Sequence, residues 1–260
     1  MAHVISWLHD SFHSVIPQWT GVQSLFRSDY SVALLCFIGS AMNQFNGSAE
    51  CIVMDELTIT IIVVGGSRSG VGKTHIASLL VRCLPAWGAL KVTVCADDCP
   101  RDKRCKVCAN LETQFAIISN SQVLNQPNTD TARLITAGAT KVLWLQARLE
   151  ALGEGLDCAL KQFQGYPGIV IEGTSTLRHL NADLAIVIID PMHAIKPIVF
   201  DILPRVHLIL NSSPDAELPP RIVHHLGISR VMKLVEVEQL LYNSPPLRSL
   251  DDLKAVLNVP

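Results

Sequence analysis

The sequence lacks an excess of charge of either sign. Its 260 residues include 21 basic and 23 acidic side chains, which leaves a formal net charge of −2. A chain with this balance has no overall positive field that would attract nucleic acid or an anionic membrane surface. The composition therefore predicts neither a nucleic-acid partner nor a membrane partner, and any anion site has to be local.

The sequence also lacks the marks of an exported or membrane-spanning chain. No lysine occurs before Lys73, and the first apolar stretch has neither a basic flank nor a small-residue cleavage site. The apolar run 32–38 is much shorter than the roughly 18–20 residues that a spanning helix needs. We therefore expect a soluble, cytoplasmic protein.

The N-terminal part of the chain differs from the rest. The overall composition, 49% hydrophobic and 17% charged, excludes a disordered or collagen-like chain. Residues 1–53, however, contain one arginine and no lysine, and they show no sustained period of 2 or 3.6 residues. We expect them to be a poorly structured or non-native extension: either Met54 is the biological start, or residues 1–53 are loosely attached to the functional domain at 54–260. An accessory helical segment around residues 32–42 is the alternative.

From residue 57 onward, short apolar runs alternate with helical patterns. The predicted strands cover 57–64, 89–95, 140–145, 168–172, 184–190 and 206–211. The predicted helices cover 73–84, 131–137, 147–163, 221–226, 236–242 and 248–257. This alternation is typical of a parallel sheet covered on both faces. The pattern predicts an α/β fold, the three-layer P-loop NTPase architecture with a mostly parallel sheet.

A glycine-rich segment joins the first predicted strand to the first predicted helix. It reads GGSRSGVGKT over residues 65–74. The residues predicted to hold the nucleotide here are Gly66, Ser67, Arg68, Ser69, Gly70, Val71, Gly72, Lys73 and Thr74. Backbone N–H groups of such a loop surround phosphate oxygens, the lysine reaches the outer phosphates, and the hydroxyl is offered to Mg²⁺. The strict motif has glycine at position 67, where this chain has serine.

Two carboxylates are predicted to complete a Mg²⁺ site with Thr74. Glu172 ends an apolar strand before Gly173, at the sheet edge where ligands bind, and it needs a partner there. Asp130 precedes a helical pattern, so an N-capping role is an equal alternative. Mg²⁺ takes one or two carboxylates plus phosphate oxygens. We therefore predict Thr74, Asp130 and Glu172 as metal ligands, with Lys73 and Glu172 as the catalytic residues.

Asn211 ends the last strong strand and is a candidate reader of the nucleotide base. Its amide donates and accepts at once, as recognition of a purine edge requires. The residues that follow do not form the Asn-Lys-x-Asp motif of strict guanine readers. The choice between GTP and ATP stays open, and an ordinary turn-forming asparagine is an equal alternative.

Four of the eight cysteines form a cluster after the second predicted strand. Cys95, Cys99, Cys105 and Cys108 have the spacing C-x3-C-x5-C-x2-C. Four thiolates this close can hold a zinc ion or an iron-sulfur cluster. We predict a cysteine-rich metal-binding insertion at 95–108. Free thiols, or a Cys95 that belongs to the strand core, are the alternatives.

Several segments in this order resemble the MobB family, the GTP-binding adaptor of molybdopterin-guanine dinucleotide biosynthesis. After the glycine loop come Asp130-Thr131-Ala132-Arg133, then Ala137-Gly138-Ala139, then a strand that ends in Glu172-Gly173. The chain is also similar, more distantly, to the dethiobiotin synthetase group, which spaces its loop as Gly-x5-Gly-Lys-Thr. In both families the second strand carries a lysine near its end, where this chain has Cys95 and Ala96. That difference argues against dethiobiotin synthesis.

The resemblance implies a nucleotide-binding protein that uses Mg²⁺ with GTP or ATP and hydrolyses it weakly. It implies a role in the biosynthesis of the molybdenum cofactor or a related metallocofactor, with a cofactor-biosynthesis protein as partner and a homodimer left open. An ATP-dependent ligase or kinase of the synthetase group is the alternative. A third alternative is a regulatory NTPase that senses metal or redox state through its cysteines.

Overall fold

The computed structural model describes residues 59–95, 111, 113–224 and 230–260. Eight strands in these ranges form one sheet with the order β3-β4-β2-β5-β1-β6-β7-β8. The strands are β1 (Thr60–Gly66), β2 (Gly88–Cys95), β3 (Phe115–Ile118), β4 (Val142–Arg148), β5 (Gly168–Glu172), β6 (Leu184–Ile189), β7 (Leu208–Asn211) and β8 (Arg230–Lys233). Neighbouring strands are parallel except β3, which runs antiparallel to β4. The predicted α/β class with a mostly parallel sheet is confirmed.

Helices follow most of the strands. They are α1 (Lys73–Cys83), α2 (Ser121–Leu124), α3 (Asp130–Thr136), α4 (Leu152–Lys161), α5 (Pro197–Ile202), α6 (Pro220–Val223), α7 (Leu234–Asn243) and α8 (Leu250–Leu257), with 3₁₀ turns at Leu149–Ala151, Thr174–Arg178 and Leu203–Arg205. No helix in the described ranges is long and apolar enough to cross a membrane.

The sheet separates two apolar cores. Side chains of β1 alternate between them, because successive residues of a strand point to opposite faces. Ile62 and Val64 pack with α1, α7 and α8 on one face, whereas Val63 packs with α4 and α5 on the other. All three β1 side chains are fully buried. The apolar runs that predicted buried strands therefore also explain why helices cover both faces of the sheet.

The sequence patterns missed the two outer strands and the short helices α2 and α5, and they misplaced the start of α4. The short strands β3 and β8 were not predicted, since each has only four residues and lies at an edge with half-exposed side chains. The helix predicted at 147–163 begins later, because β4 continues to Arg148 and a 3₁₀ turn precedes α4 at Leu152. Edge strands bury fewer side chains, so their periodicity is weak.

Candidate functional site

The loop between β1 and α1 is anchored at its base by the strands on either side of β1. Gly66 N–H donates to the hydroxyl of Thr174, just after β5, at 2.9 Å. Ser67 N–H donates to the carbonyl oxygen of Ile188 in β6 at 2.8 Å. The Ser67 hydroxyl accepts from the backbone N–H of Asp190 at 3.0 Å. The loop is therefore fixed between the carboxyl ends of β5 and β6, where open α/β sheets bind ligands.

Three glycines permit the tight curl of this loop. Gly70 and Gly72 have φ angles of 75° and 105°, which only glycine adopts readily. A Cβ on Gly66 would lie 2.5 Å from Cγ1 of Val71, so the loop folds back over this residue. The same residues that predict a phosphate loop in the sequence thus form a closely wound backbone at the N-terminus of α1. A helix N-terminus in this setting favours an anionic group.

Lys73 begins α1 and points back over the loop. Its Nζ donates to the carbonyl oxygen of Arg68 at 2.9 Å. Burial lowers the pKa of Lys73 below its ordinary value; the carboxylate of Glu172 opposes this change and the ammonium of Lys91 adds to it. A partly desolvated ammonium group next to a glycine loop is suited to a phosphate oxygen, which would restore the interactions that burial removes.

Two carboxylates and one hydroxyl lie around a second lysine, Lys91, beside the loop. Thr74 Oγ1 donates to Asp130 Oδ1 at 2.8 Å. Lys91 Nζ donates to Asp130 Oδ2 at 2.6 Å and to Glu172 Oε1 at 2.5 Å. The structure therefore brings together all three side chains that the sequence predicts as Mg²⁺ ligands. It adds Lys91, which the sequence analysis did not select.

The positions of these side chains follow from the sheet and the two helices that begin at its edge. Lys91 in β2 and Glu172 in β5 are direct partners in the parallel register. Thr74 lies in the first turn of α1, and Asp130 is the first residue of α3. The N-cap of α3 is Thr129, whose hydroxyl accepts from Ala132 N–H at 3.2 Å, and the Asp130 side chain is thereby left to face the loop.

The electrostatics of this cluster depend on burial. Only 2% of the Glu172 side chain and 16% of the Lys91 side chain are exposed, against 41% for Asp130. Burial raises the pKa of Asp130, but the hydrogen bond and charge of Lys91 and the hydroxyl of Thr74 together hold it below its ordinary value. Asp130 is therefore ionised near neutral pH, which a metal ligand of this kind requires.

One oxygen of the cluster has no hydrogen-bond partner in the described part of the chain. Glu172 Oε2 is buried and accepts no hydrogen bond from any residue that the structure describes. A buried carboxylate oxygen without a partner carries a large desolvation cost unless a ligand or ion satisfies it. The donor set of a threonine hydroxyl and two carboxylates, one of which has an unsatisfied oxygen, fits Mg²⁺, which prefers oxygen ligands.

Lys91 corrects one inference from the sequence. The argument that the second strand lacks a lysine at the site does not hold, because Lys91 lies four residues before Cys95 on the same strand and reaches both carboxylates. A signal was present: a single lysine inside the apolar strand Gly88–Cys95 needs a buried partner, as Glu172 does in β5. The two requirements satisfy each other.

A second ion-pair cluster holds the loop from the side of β6. Both Arg68 Nε and Nη2 lie 2.8 Å from Asp190 Oδ2, and His193 Nδ1 lies 2.8 Å from the same oxygen. Burial raises the pKa of Asp190, but the hydrogen bonds of Arg68 and of Met192 N–H and the nearby His193 outweigh it and lower the pKa. Asp190 is therefore a buried anchor for the loop, a role that the sequence did not distinguish from that of a turn residue.

Asn211 uses its amide within its own turn. Its Nδ2 donates to the carbonyl oxygen of Ala216 at 2.7 Å, and its Oδ1 accepts from Ser213 N–H at 3.0 Å. These bonds are those of a turn-forming asparagine. Base recognition by Asn211 stays a prediction.

The cysteine cluster lies mostly outside the described residues. Cys95 is the last residue of β2 and is 7% exposed. Cys99, Cys105 and Cys108 are not among the described residues, and neither is the N-terminal extension 1–53. Within the described ranges, no group of three or more histidine, cysteine or acidic side chains is arranged to hold a metal ion. The metal-binding insertion stays a prediction.

Comparison with known proteins gives only distant structural similarity. No family model and no curated protein matches the chain. A crystal structure of LpxK from Aquifex aeolicus in complex with ATP is 16% identical, covers 71% of this chain and has a TM-score of 0.39. HypB from Helicobacter pylori, solved in complex with nickel, is 13% identical, covers 86% of this chain and 88% of its own, and has a TM-score of 0.35. The chain spans 56% of the length of the LpxK chain. Similarity at this level assigns no substrate or partner, and membership of the MobB family stays a prediction.

Proposed function

We propose that this chain binds GTP or ATP together with Mg²⁺ and assists the biosynthesis of the molybdenum cofactor or a related metallocofactor. The observation that carries the nucleotide part is the wound glycine loop with Lys73 at its end and the Thr74, Asp130 and Glu172 side chains beside it. The metallocofactor part rests on the resemblance of the motif order to the MobB family.

The loop would bind the phosphates and the neighbouring carboxylates would hold the metal. Backbone N–H groups of residues 67–74 and the Lys73 ammonium supply positive charge to phosphate oxygens. Thr74, Asp130 and Glu172 would hold Mg²⁺, which neutralises phosphate charge when it is bound. Lys73 would orient the outer phosphate.

Removal of the Lys73 ammonium tests the nucleotide part. Lys73→Ala is expected to lower the affinity for both ATP and GTP by at least about tenfold, equivalent to about 1.4 kcal/mol, because a phosphate ligand is lost from a preformed loop. Isothermal titration calorimetry with each nucleotide and Mg²⁺ measures this change. Lys161→Ala, which removes an exposed lysine at the end of α4, is the control and should leave both affinities unchanged.

An unchanged affinity in Lys73→Ala would reject the phosphate-loop assignment. The same titrations on the wild type, carried out with ATP and GTP in parallel, decide which base is preferred. Identification of proteins that co-purify only in the presence of the preferred nucleotide then tests the metallocofactor part, since an adaptor should retain a cofactor-biosynthesis protein.

Lys91 favours a second candidate function. An ATP-dependent ligase or kinase transfers the γ-phosphoryl group of ATP to a carboxylate oxygen of a small substrate and releases ADP. Such an enzyme needs a cation near the terminal phosphate to bind the acceptor, and the ammonium of Lys91 lies beside the predicted metal ligands. Release of ADP that depends on an added small carboxylic acid would support this function. A rate of ADP release that no acid changes would support the adaptor.

A further inference from the structure

Lys91 lies between the two carboxylates that are predicted to bind Mg²⁺. Its Nζ is within 2.6 Å of an oxygen of Asp130 and within 2.5 Å of an oxygen of Glu172. An ammonium group and a divalent cation that use the same two carboxylates exclude each other from the space between them. The cluster therefore already contains a cation, supplied by the chain itself.

The burial of Glu172 makes a positive charge beside its carboxylate necessary. Glu172 is almost fully buried and faces a second carboxylate across the same lysine. Two neighbouring carboxylates repel each other, and a positive charge between them offsets that repulsion. Lys91 lies within hydrogen-bond distance of both carboxylates and so stabilises both.

The two ion pairs of Lys91 also disfavour the binding of a metal ion that arrives without nucleotide. A divalent cation entering alone would have to break two short ion pairs and leave the Lys91 ammonium displaced beside a second positive charge, with Lys73 also close by. The phosphates of a nucleotide change this balance, because they bring negative charge that can accept a displaced ammonium group. Glu172 Oε2, which is unpartnered in the described part of the chain, is then available to the arriving metal.

We propose that the Lys91 ammonium group competes with free divalent ions for Asp130 and Glu172. Mg²⁺ then binds at these carboxylates only together with nucleotide. This inference rests on the proposed nucleotide function, because it concerns the same carboxylates. It assigns Lys91 a positioning role: the lysine controls the order of binding through the two carboxylates.

The test measures metal binding without nucleotide. Mn²⁺ serves as the probe, and its binding is followed by electron paramagnetic resonance of the free ion. Wild-type protein should bind no Mn²⁺ at micromolar concentrations. Lys91→Met should bind Mn²⁺ at least about tenfold more tightly than wild type, because the competing cation is gone; couplings of this size are typical between linked sites. Lys91→Arg keeps the charge and should behave as wild type.

Two controls separate this effect from a change in fold or overall charge. Lys161→Met removes an exposed lysine on α4 and should leave Mn²⁺ binding as in wild type. Lys91→Gln provides a polar substitute of similar length if Lys91→Met does not fold, and it should also gain Mn²⁺ affinity. A lysine with a purely structural role would not produce a gain of affinity when removed.

Each outcome is decisive. Tight Mn²⁺ binding by the wild type without nucleotide would overturn the proposal. So would Lys91→Met or Lys91→Gln protein that folds and binds Mn²⁺ no better than wild type. Neither result bears on Lys73 and nucleotide affinity, so a failure here is distinguishable from a failure of the proposed function.

Discussion

His207 connects β7 to β6 through both its backbone and its side chain. The residue directly precedes β7, and its backbone N–H donates to the carbonyl oxygen of Ala185 at 2.9 Å. Its Nδ1 accepts from Ala185 N–H, also at 2.9 Å. A ring nitrogen that accepts a hydrogen bond has to be unprotonated. Burial lowers the pKa of His207, the charge of Lys254 lowers it further, and Asp183 opposes them.

This lowered pKa predicts a loss of stability in weak acid. The unfolded chain binds a proton at His207 below its ordinary pKa of about 6.5, whereas the folded chain resists protonation to a lower pH. The free energy of unfolding should therefore fall as the pH decreases from about 7.5 through 6.5, and this contribution stops changing below the folded-state pKa. Urea unfolding at a series of pH values measures the effect.

His207→Asn provides the comparison for this prediction. The asparagine oxygen can accept from Ala185 N–H, but it does not titrate, so the variant should lose less stability between pH 7.5 and 5.5 than the wild type does. If the free energies of unfolding of the two proteins changed equally with pH, groups other than His207 would cause the acid sensitivity.

At the scale of the element, the loop between β1 and α1 depends on space at Gly66. A methyl group there would lie 2.5 Å from Val71 Cγ1 and 3.0 Å from Lys73 Cγ. We expect Gly66→Ala to push the loop outward, with a loss of about 1–3 kcal/mol of stability. Nucleotide affinity should fall by at least about tenfold. Calorimetric titration and thermal unfolding measure the two changes.

Gly138→Ala is the matched control for the loop variant. Gly138 has a φ of 100° but no atom within 4 Å of an added Cβ, so alanine meets only backbone strain. This strain costs about 1–2 kcal/mol of stability. Gly138 follows α3 and lies outside the loop, so nucleotide affinity should stay as in the wild type. If both variants bind nucleotide equally well, the tight curl at Gly66 is not needed for binding.

The cysteine-rich segment after β2 is the element in which this chain departs most from the families it resembles. If Cys95, Cys99, Cys105 and Cys108 hold one centre, protein purified without oxygen should contain about one zinc ion or one iron-sulfur cluster per chain. Cys105→Ser and Cys108→Ser should each release it. Cys158→Ser, in α4, is the control and should retain the metal. Metal analysis and thiol alkylation read out the result.

The location of the segment adds a second readout to this prediction. β2 ends at Cys95 on the edge of the sheet that carries Lys91 and Glu172. Loss of a metal there should also change nucleotide affinity, since the two sites would share one strand. The metal site would be rejected if the purified protein contained no metal, if its four thiols were freely alkylated, and if the serine variants bound nucleotide as the wild type does.

At the scale of the whole molecule, the candidate nucleotide site is built from residues after Thr60. The loop, the four elements that carry Thr74, Lys91, Asp130 and Glu172, and both cores belong to the sheet and its helices. We therefore expect a chain that starts at Met54 to remain soluble, to unfold at the same temperature as the full chain, and to bind nucleotide with the same affinity. Precipitation or weaker binding of the shortened chain would mean that residues 1–53 take part in the fold.

Much of this fold can be predicted from short stretches of the sequence. Runs such as TIIVV in β1 and GIVIE in β5 are apolar on both faces, so they have to be buried strands of a covered sheet. The glycines of the loop can be identified from their spacing alone, because few other uses exist for them between a strand and a helix. For the same reason Lys73 and Thr74 could be selected as candidate site residues without a structure. Glu172 could be selected because it ends an apolar strand.

The contacts that complete the site depend on the order and register of the strands. Lys91 and Glu172 are 81 residues apart, and they meet only because β2 pairs with β5 so that the two are direct register partners. Arg68 and Asp190 are 122 residues apart and meet because β6 lies next to β1. A strand's own residues specify that it is buried but not which strand lies beside it, since backbone hydrogen bonds are the same for every neighbour. Pairing is decided by how the helices pack over the whole sheet, and only the folded chain brings these charges together.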